Sequence, residues 1–157
     1  MRWLIINLNI KGIRIPMKSD PFTYYHPITV RYADLDPQSH VNNAAYMTYL
    51  ESARLGYYQA SGIWRPDTGA LTGMVVAKAE IEYLAPIYLG QSIRVGVRLD
   101  ALGNTSMTFV FQIESVPDGK PLARGKSIMV AFDNEKGEKR PVPQEWREKL
   151  TRFEEME

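Results

Sequence analysis

Cysteine is absent from the 157 residues, which excludes disulfides, thiolate catalysis and cysteine-ligated zinc. Histidine is nearly as scarce, with His26 and His40 the two in the chain. A metal site would have to be mostly carboxylate, and no acidic cluster with ligand spacing occurs, so no metal is expected. An excess of charge of one sign is lacking too. The 19 Lys and Arg against 18 Asp and Glu leave a net charge of +1, too weak a field to imply a nucleic-acid or anionic-membrane partner. No apolar run approaches the roughly 20 residues of a membrane-spanning helix. What remains is 45% hydrophobic and 24% charged, an ordinary globular balance. The length suits one domain with a sizeable core, and a cytoplasmic protein is the expectation.

Residues 1–16 read MRWLIINLNIKGIRIP. Asn7, Asn9 and Lys11 interrupt the apolar character and no small-residue cleavage site follows, which argues against a signal peptide. Met17 opens MKSDPF like a natural start. Residues 1–16 are read as an N-terminal extension or as an extra edge strand, since 4–10 are rich in β-formers; residues 17–157 form the single domain.

Aromatic and β-branched residues over 22–33 predict a strand, with Pro27 pointing to an edge or bulge. Residues 34–43, DLDPQSHVNN, are turn chemistry. From 44 to 60 the period changes: Ala45, Tyr49, Ala53, Tyr57 and Ala60 fall three or four apart, as on one helix face. Asn42 or Asn43 suits the N-cap and Gly62 the stop. Glu51 and Arg54 can pair at i,i+3. The small residues Ala45, Ser52, Ala53, Gly56 and Ala60 predict close approach to another element, and the mid-helix Gly56 implies a packing reason for the roughly 1 kcal/mol it forfeits. Strand patterns follow over 74–85, 92–102, 106–116 and 121–133, with turns at Gly103-Asn104 and at Pro117-Asp118-Gly119. A polar loop and a short charged helix over 144–155 complete the order. Short connections predict antiparallel neighbours. A sheet of about five strands covered by one long helix, an α+β solution, is expected, with exposed edges that favour self-association.

Asp36 lies in a loop that runs into a helix N-terminus. A carboxylate is ionised at neutral pH, and the unpaired amides of a first helical turn are donors with positive dipole character. Together they make a minimal acyl-transfer site: a carboxylate beside an oxyanion-binding set of N–H groups. Each residue also has a structural reading. Asp34 and Asp36 can be turn formers, Asn42 and Asn43 caps, His40 a loop hydrogen-bonder, and Tyr32, Tyr46 and Tyr49 core aromatics.

The stretch YADLDPQSHVNNAAYMTYLESAR resembles the signature of 4-hydroxybenzoyl-CoA thioesterase-like proteins, a branch of the hotdog-fold acyl-CoA thioesterases. The pattern is an aromatic, D-x-D, a short turn, H-V-N-N, an aromatic-rich helix and E-x-A-R. A second stretch agrees: Val75-Val76-Ala77, then Ile81 to Pro86, then Gly90. The resemblance covers about residues 22–133 and implies a hotdog fold in which an antiparallel sheet wraps one long helix. It implies hydrolysis of an acyl-CoA to free acid and CoA. Asp36 is then the catalytic carboxylate, nucleophile or general base. Tyr32, His40 and the backbone around Val41, Asn42 and Asn43 border the oxyanion or substrate. Some members carry a histidine at the position of Asn43. Here it is Asn, which disfavours a histidine acid or base and makes the Asn43 side chain a donor candidate. Tyr46, Met47, Leu50, Trp64 and Met74 are the expected acyl-pocket residues, each also explained as core. Arg94, Arg98, Arg124 and Lys126 are cations that CoA phosphates could meet, or a solvated face. No cofactor is implied, because coenzyme A is part of the substrate, and a homodimer or homotetramer is expected. An acyl-ACP thioesterase and a non-catalytic acyl-CoA-binding domain are the alternative readings.

Overall fold

A computed structural model of the chain describes residues 22–69 and 71–155. The extension expected over 1–16 lies outside them. The elements run β1 (Tyr24–Ile28), a 3-10 turn (Tyr32–Asp34), α1 (Asn43–Ser61), a second 3-10 turn (Pro66–Thr68), β2 (Met74–Tyr83), β3 (Ile93–Leu102), β4 (Ser106–Ser115), β5 (Pro121–Asp133), β6 (Glu138–Lys139) and α2 (Gln144–Glu155). The sheet is antiparallel in every pairing, ordered β1-β3-β4-β5-β2 with β6 on β5.

This α+β architecture is the one expected, with three differences. The first strand stops at Ile28 rather than running to Ala33, because the chain turns inward at buried Val30 and closes the Tyr32–Asp34 turn. Pro27 sits on β1, an edge strand, where its missing N–H is tolerated. Second, β2 does not lie beside β3, although a short connection joins them. It crosses to the far edge and pairs with β5, and the Leu84 and Ala85 amides continue that ladder onto the Leu122 carbonyl. Third, the loop after β5 contains the two-residue β6, too short and polar to show a period.

The long helix is capped as its sequence indicates. Asn42 is the N-cap, its side chain accepting from the Ala44 amide, and Gly62 ends the helix at φ 76°. The buried face is more aromatic than expected: Tyr46, Tyr49, Leu50, Ala53, Tyr57 and Tyr58 are buried, whereas Ala60 is exposed. Tyr57 and Tyr58 meet Phe109 of β4 edge-on, with centroids 5.3 and 5.6 Å apart, contacts worth about 0.5–1.5 kcal/mol each beyond area burial. Gly56 does mark a close approach. A Cβ there would collide with the Tyr24 hydroxyl and lie 2.9 Å from His26 Nδ1, both on β1.

Ion pairs link neighbouring strands: Arg94 pairs with Glu114, Arg124 with Glu82 and Lys126 with Glu80, while Arg98 pairs with Asp100 within β3. The cations considered for CoA phosphates are thus already matched by acids on the sheet. β2 is exposed along residues 75–79, with Val75 40% and Val76 50% accessible.

Candidate active site

The loop that carries Asp36 is a miniature hairpin. Leu35 bridges Val41, the Asp36 amide donates to the His40 carbonyl at 2.9 Å, and the Ser39 amide donates to the Asp36 carbonyl at 3.0 Å. Pro37 follows the first residue of this turn, where its fixed φ fits, and Ser39 takes the left-handed conformation at φ 64°. A turn followed by one left-handed residue is the three-residue hairpin loop. Its geometry sets residues 36 and 40 opposite each other at the neck.

That closure brings two of the expected residues together. Asp36 Oδ1 accepts from the Gln38 amide at 2.8 Å, and Oδ2 stands 3.6 Å from His40 Nδ1. The Asp36 side chain is 20% exposed and that of His40 17%, so the carboxylate is reachable but partly shielded. His40 also meets the ring of Tyr88 edge-on at 6.3 Å, a neighbour that reading the motif alone does not reveal.

Asp34 behaves differently. Its carboxylate is buried and accepts from the Arg31 amide at 2.9 Å, the Arg31 guanidinium at 2.7 Å and the Tyr49 hydroxyl at 2.8 Å. The Arg31 hydrogen bonds hold its carboxyl down to about 2, while burial and the Asp34 carboxylate push the Tyr49 hydroxyl well above its usual range. Asp34 anchors the loop to α1.

The amides expected to bind an oxyanion are mostly committed within the protein. Val41 N–H donates to the Ile87 carbonyl and Asn42 N–H to the Asp34 carbonyl, both at 2.8 Å. Ala44 N–H is taken by the Asn42 side chain and Ala45 N–H by the Asn42 carbonyl. Asn43 N–H, on the exposed first residue of α1, has no acceptor among the described residues. Tyr32 is 82% exposed, and its carbonyl accepts from the Leu35 amide.

The acyl-pocket residues separate. Met47 and Leu50 line an open cleft of about 200 Å³ between α1 and the β2–β5 side of the sheet. Tyr46 lies in the core just behind, edge-on to Tyr83 at 4.9 Å, and burial pushes its hydroxyl up to about 12. Trp64 and Met74 are half-buried and do not border the cleft; Trp64 Nε1 donates to the Gly69 carbonyl at 3.1 Å. They fall away because Trp64 follows the far end of α1 and Met74 opens β2 at the end remote from Tyr83. Arg54, Val76, Phe111 and Ser127 also line the cleft. Ser127 could have been noticed, since it is the one hydroxyl among the inward positions Ala123, Gly125, Ser127, Met129 and Ala131 of β5.

Among the described residues, no group of three or more His, Asp or Glu side chains could hold a metal ion, and no helix is long and apolar enough to cross a membrane.

Residues 30–150 match the family model of the thioesterase-like superfamily. The long-chain acyl-CoA thioesterase FadM of Escherichia coli is 30% identical over 123 residues, 78% of this chain and 93% of that protein. Among solved structures, a Thermus thermophilus thioesterase in complex with coenzyme A and zinc is 34% identical. It superposes with a TM-score of 0.74, over 86% of this chain and 97% of that one. A thioesterase superfamily protein from Jannaschia superposes at 0.75 with 25% identity, over 85% of this chain and 84% of that one. A curled antiparallel sheet on one long helix, shared with these proteins across most of its length, together with the match over residues 30–150, shows that the chain belongs to the thioesterase-like hotdog superfamily and is a thioester hydrolase.

Proposed function

We propose that the chain cleaves acyl-CoA thioesters, with Asp36 as the catalytic carboxylate and the Asn43 N–H as the oxyanion donor. The observation that carries this reading is the Asp36–His40 hairpin. It holds a partly shielded carboxylate seven residues ahead of a helix whose first amide is uncommitted. In the nucleophilic route, Asp36 Oδ2 adds to the thioester carbonyl and the resulting oxyanion is stabilised at the helix start. Collapse breaks the C–S bond, releases CoA as thiolate and leaves a mixed anhydride, which water splits to free acid and carboxylate. In the general-base route, Asp36 takes a proton from the attacking water. Coenzyme A as carrier is supported by the named substrate of FadM and by the coenzyme A bound to the Thermus protein.

We further read the working form as a homodimer joined through β2. A ten-residue strand at the sheet edge, exposed along 75–79, offers unpaired backbone groups and apolar side chains to a second copy. Pairing there would also wall the cleft beside it.

Thiol release from a panel of acyl-CoAs tests the activity. Asp36→Asn should lose about 100-fold or more in kcat, on the order of 2.7 kcal/mol, with folding unchanged. Full activity in that variant would reassign the carboxylate. Absence of thiol release by the wild type from any acyl-CoA or acyl-ACP would overturn the reading. Turnover in isotopically labelled water tests the nucleophilic route, since label found in the Asp36 carboxylate requires water to have opened the anhydride at the Asp36 carbonyl.

A further inference from the structure

We propose that the cleft between α1 and the β2–β5 side of the sheet selects acyl groups bearing a carboxylate at their far end, read by Arg54 and Ser127. This rests on the thioester-hydrolase reading of the same site and adds the substrate class.

The argument begins with an incompletely matched charge. Arg54 is 8% exposed. The ion pair it makes is with Glu51, at 3.9 Å and with the Glu51 side chain 67% exposed. A buried guanidinium has five donors in a rigid fork and strongly favours a bidentate acceptor. Its Glu51 partner stands at the rim, and the guanidinium nitrogens are not among the buried atoms that lack a partner, so the Arg54 head meets the open cleft with donors to spare for an acceptor there. Across the cleft, Ser127 is 2% exposed and its hydroxyl has no hydrogen-bond partner. A buried hydroxyl left unpaired costs roughly 1–3 kcal/mol. Both residues line the same cavity. One helical turn beyond Arg54, the buried Tyr58 hydroxyl is also without a partner.

Between these polar groups and the start of α1 the walls are mostly apolar, Met47, Leu50, Val76, Ala79 and Phe111, with Thr48 and Glu51 also on the helix side. Arg54 lies three helical turns past Asn43, about 16 Å along the axis. Its side chain leans back toward the N-terminus, as its contact with Glu51 one turn earlier records. A substrate with its thioester carbonyl at the helix start would lay an apolar chain along Met47 and Leu50 and end beside Arg54. A methyl terminus leaves the guanidinium and the hydroxyl as they are. A neutral hydroxyl matches Ser127 but not the charge. A carboxylate accepts both guanidinium N–H groups and the Ser127 O–H. The other cation lining the cleft, Lys126, already pairs with Glu80.

The test is thiol release from matched straight-chain acyl-CoAs of medium length, each with and without a terminal carboxylate. The wild type should favour the carboxylate-bearing ester by about 10-fold or more in kcat/KM. Arg54→Met should remove or invert that preference, read as the ratio of kcat/KM for the two esters within the variant, and Arg54→Lys should restore part of it. Should Arg54→Met not fold, judged by circular dichroism, Ser127→Ala reads the same selectivity and should narrow it. Plain esters turned over as well as their carboxylate counterparts by the wild type, or an equal loss on both in Arg54→Met, would overturn this proposal and leave the hydrolase reading standing. No thiol release from either series, nor from any acyl-ACP, would instead remove the hydrolase reading itself.

Discussion

Asp34 and Asp36 stand two positions apart in one loop and engage entirely different partners. Asp34 is buried against Arg31 and Tyr49, whereas Asp36 is partly open beside His40. The first carboxylate holds the loop, and the second is the one left within reach of a substrate.

Acid stability should therefore depend on Asp34. Its carboxyl is held down to about 2 from an ordinary 3.8 by the Arg31 hydrogen bonds. A depressed folded-state pKa stabilises the fold fully above the unfolded value and loses that contribution as pH falls from about 4 toward 2. Thermal melts across this window should show the wild type losing stability faster than Asp34→Asn, which lacks the titrating group. At neutral pH, Asp34→Ala should cost about 2–3 kcal/mol by orphaning Tyr49 and Arg31. Parallel curves for wild type and Asp34→Asn below pH 4 would refute the assignment.

Gly56→Ala sets two effects against each other. Helix propensity favours Ala by about 1 kcal/mol, but the new methyl would collide with the Tyr24 hydroxyl and crowd His26. Overpacking typically costs about 1–3 kcal/mol, so net destabilisation is expected by urea unfolding. The double variant Gly56→Ala, Tyr24→Phe should recover part of it, because deleting the hydroxyl removes the nearest obstruction. A more stable Gly56→Ala would contradict the close approach.

Glu154 should latch the C-terminal helix. The Leu99 amide lies two residues past Val97, where the pairing of β3 with β1 ends, and Glu154 accepts it at 2.7 Å. The same carboxylate accepts the hydroxyls of Thr23 and Tyr57. Burial and this carboxylate push the Tyr57 hydroxyl up. Glu154→Ala leaves a buried hydroxyl and an amide unmatched, for about 2–3 kcal/mol. Hydrogen exchange should then speed up in residues 144–155 and at Leu99 before the rest of the sheet. Unchanged protection there would show that α2 docks through its apolar contacts alone.

The dimer reading makes Ala77 informative. It is the extra residue where β2 shifts register against β5 between Val76 and Lys78. Ala77→Pro should thus spare the intramolecular ladder while blocking strand addition at the open edge. Light scattering should report a monomer with an unchanged circular dichroism spectrum. A dimer surviving this change would place the interface elsewhere.

Local signals in the sequence reached the caps, the turn and the helix. Asn42 and Gly62 bound α1 as their side-chain chemistry dictates, and DPQSH reads as a turn from composition alone. The partners of the loop amides were not legible. Val41 and Asn42 donate to Ile87 and Asp34, and the Ile87 bond depends on a segment 46 positions away. Placing β2 beside β5 was equally out of reach, because connection length cannot distinguish a hairpin from a crossover around a curled sheet. The burial of Arg54 was hidden by its i,i+3 spacing from Glu51, which is also the spacing of an ordinary solvated pair.

The loop around Asp36 closes on itself within a handful of residues, whereas the cleft is assembled from the middle of α1 and from β2, β4 and β5. On the proposed assignment, bond cleavage and tail recognition fall in separate stretches of the chain. Substitutions in the strands would then retune which molecules are accepted while the Asp36 hairpin stays intact, so variants with altered tail preference are best sought at Val76, Phe111 and Ser127 rather than near the turn.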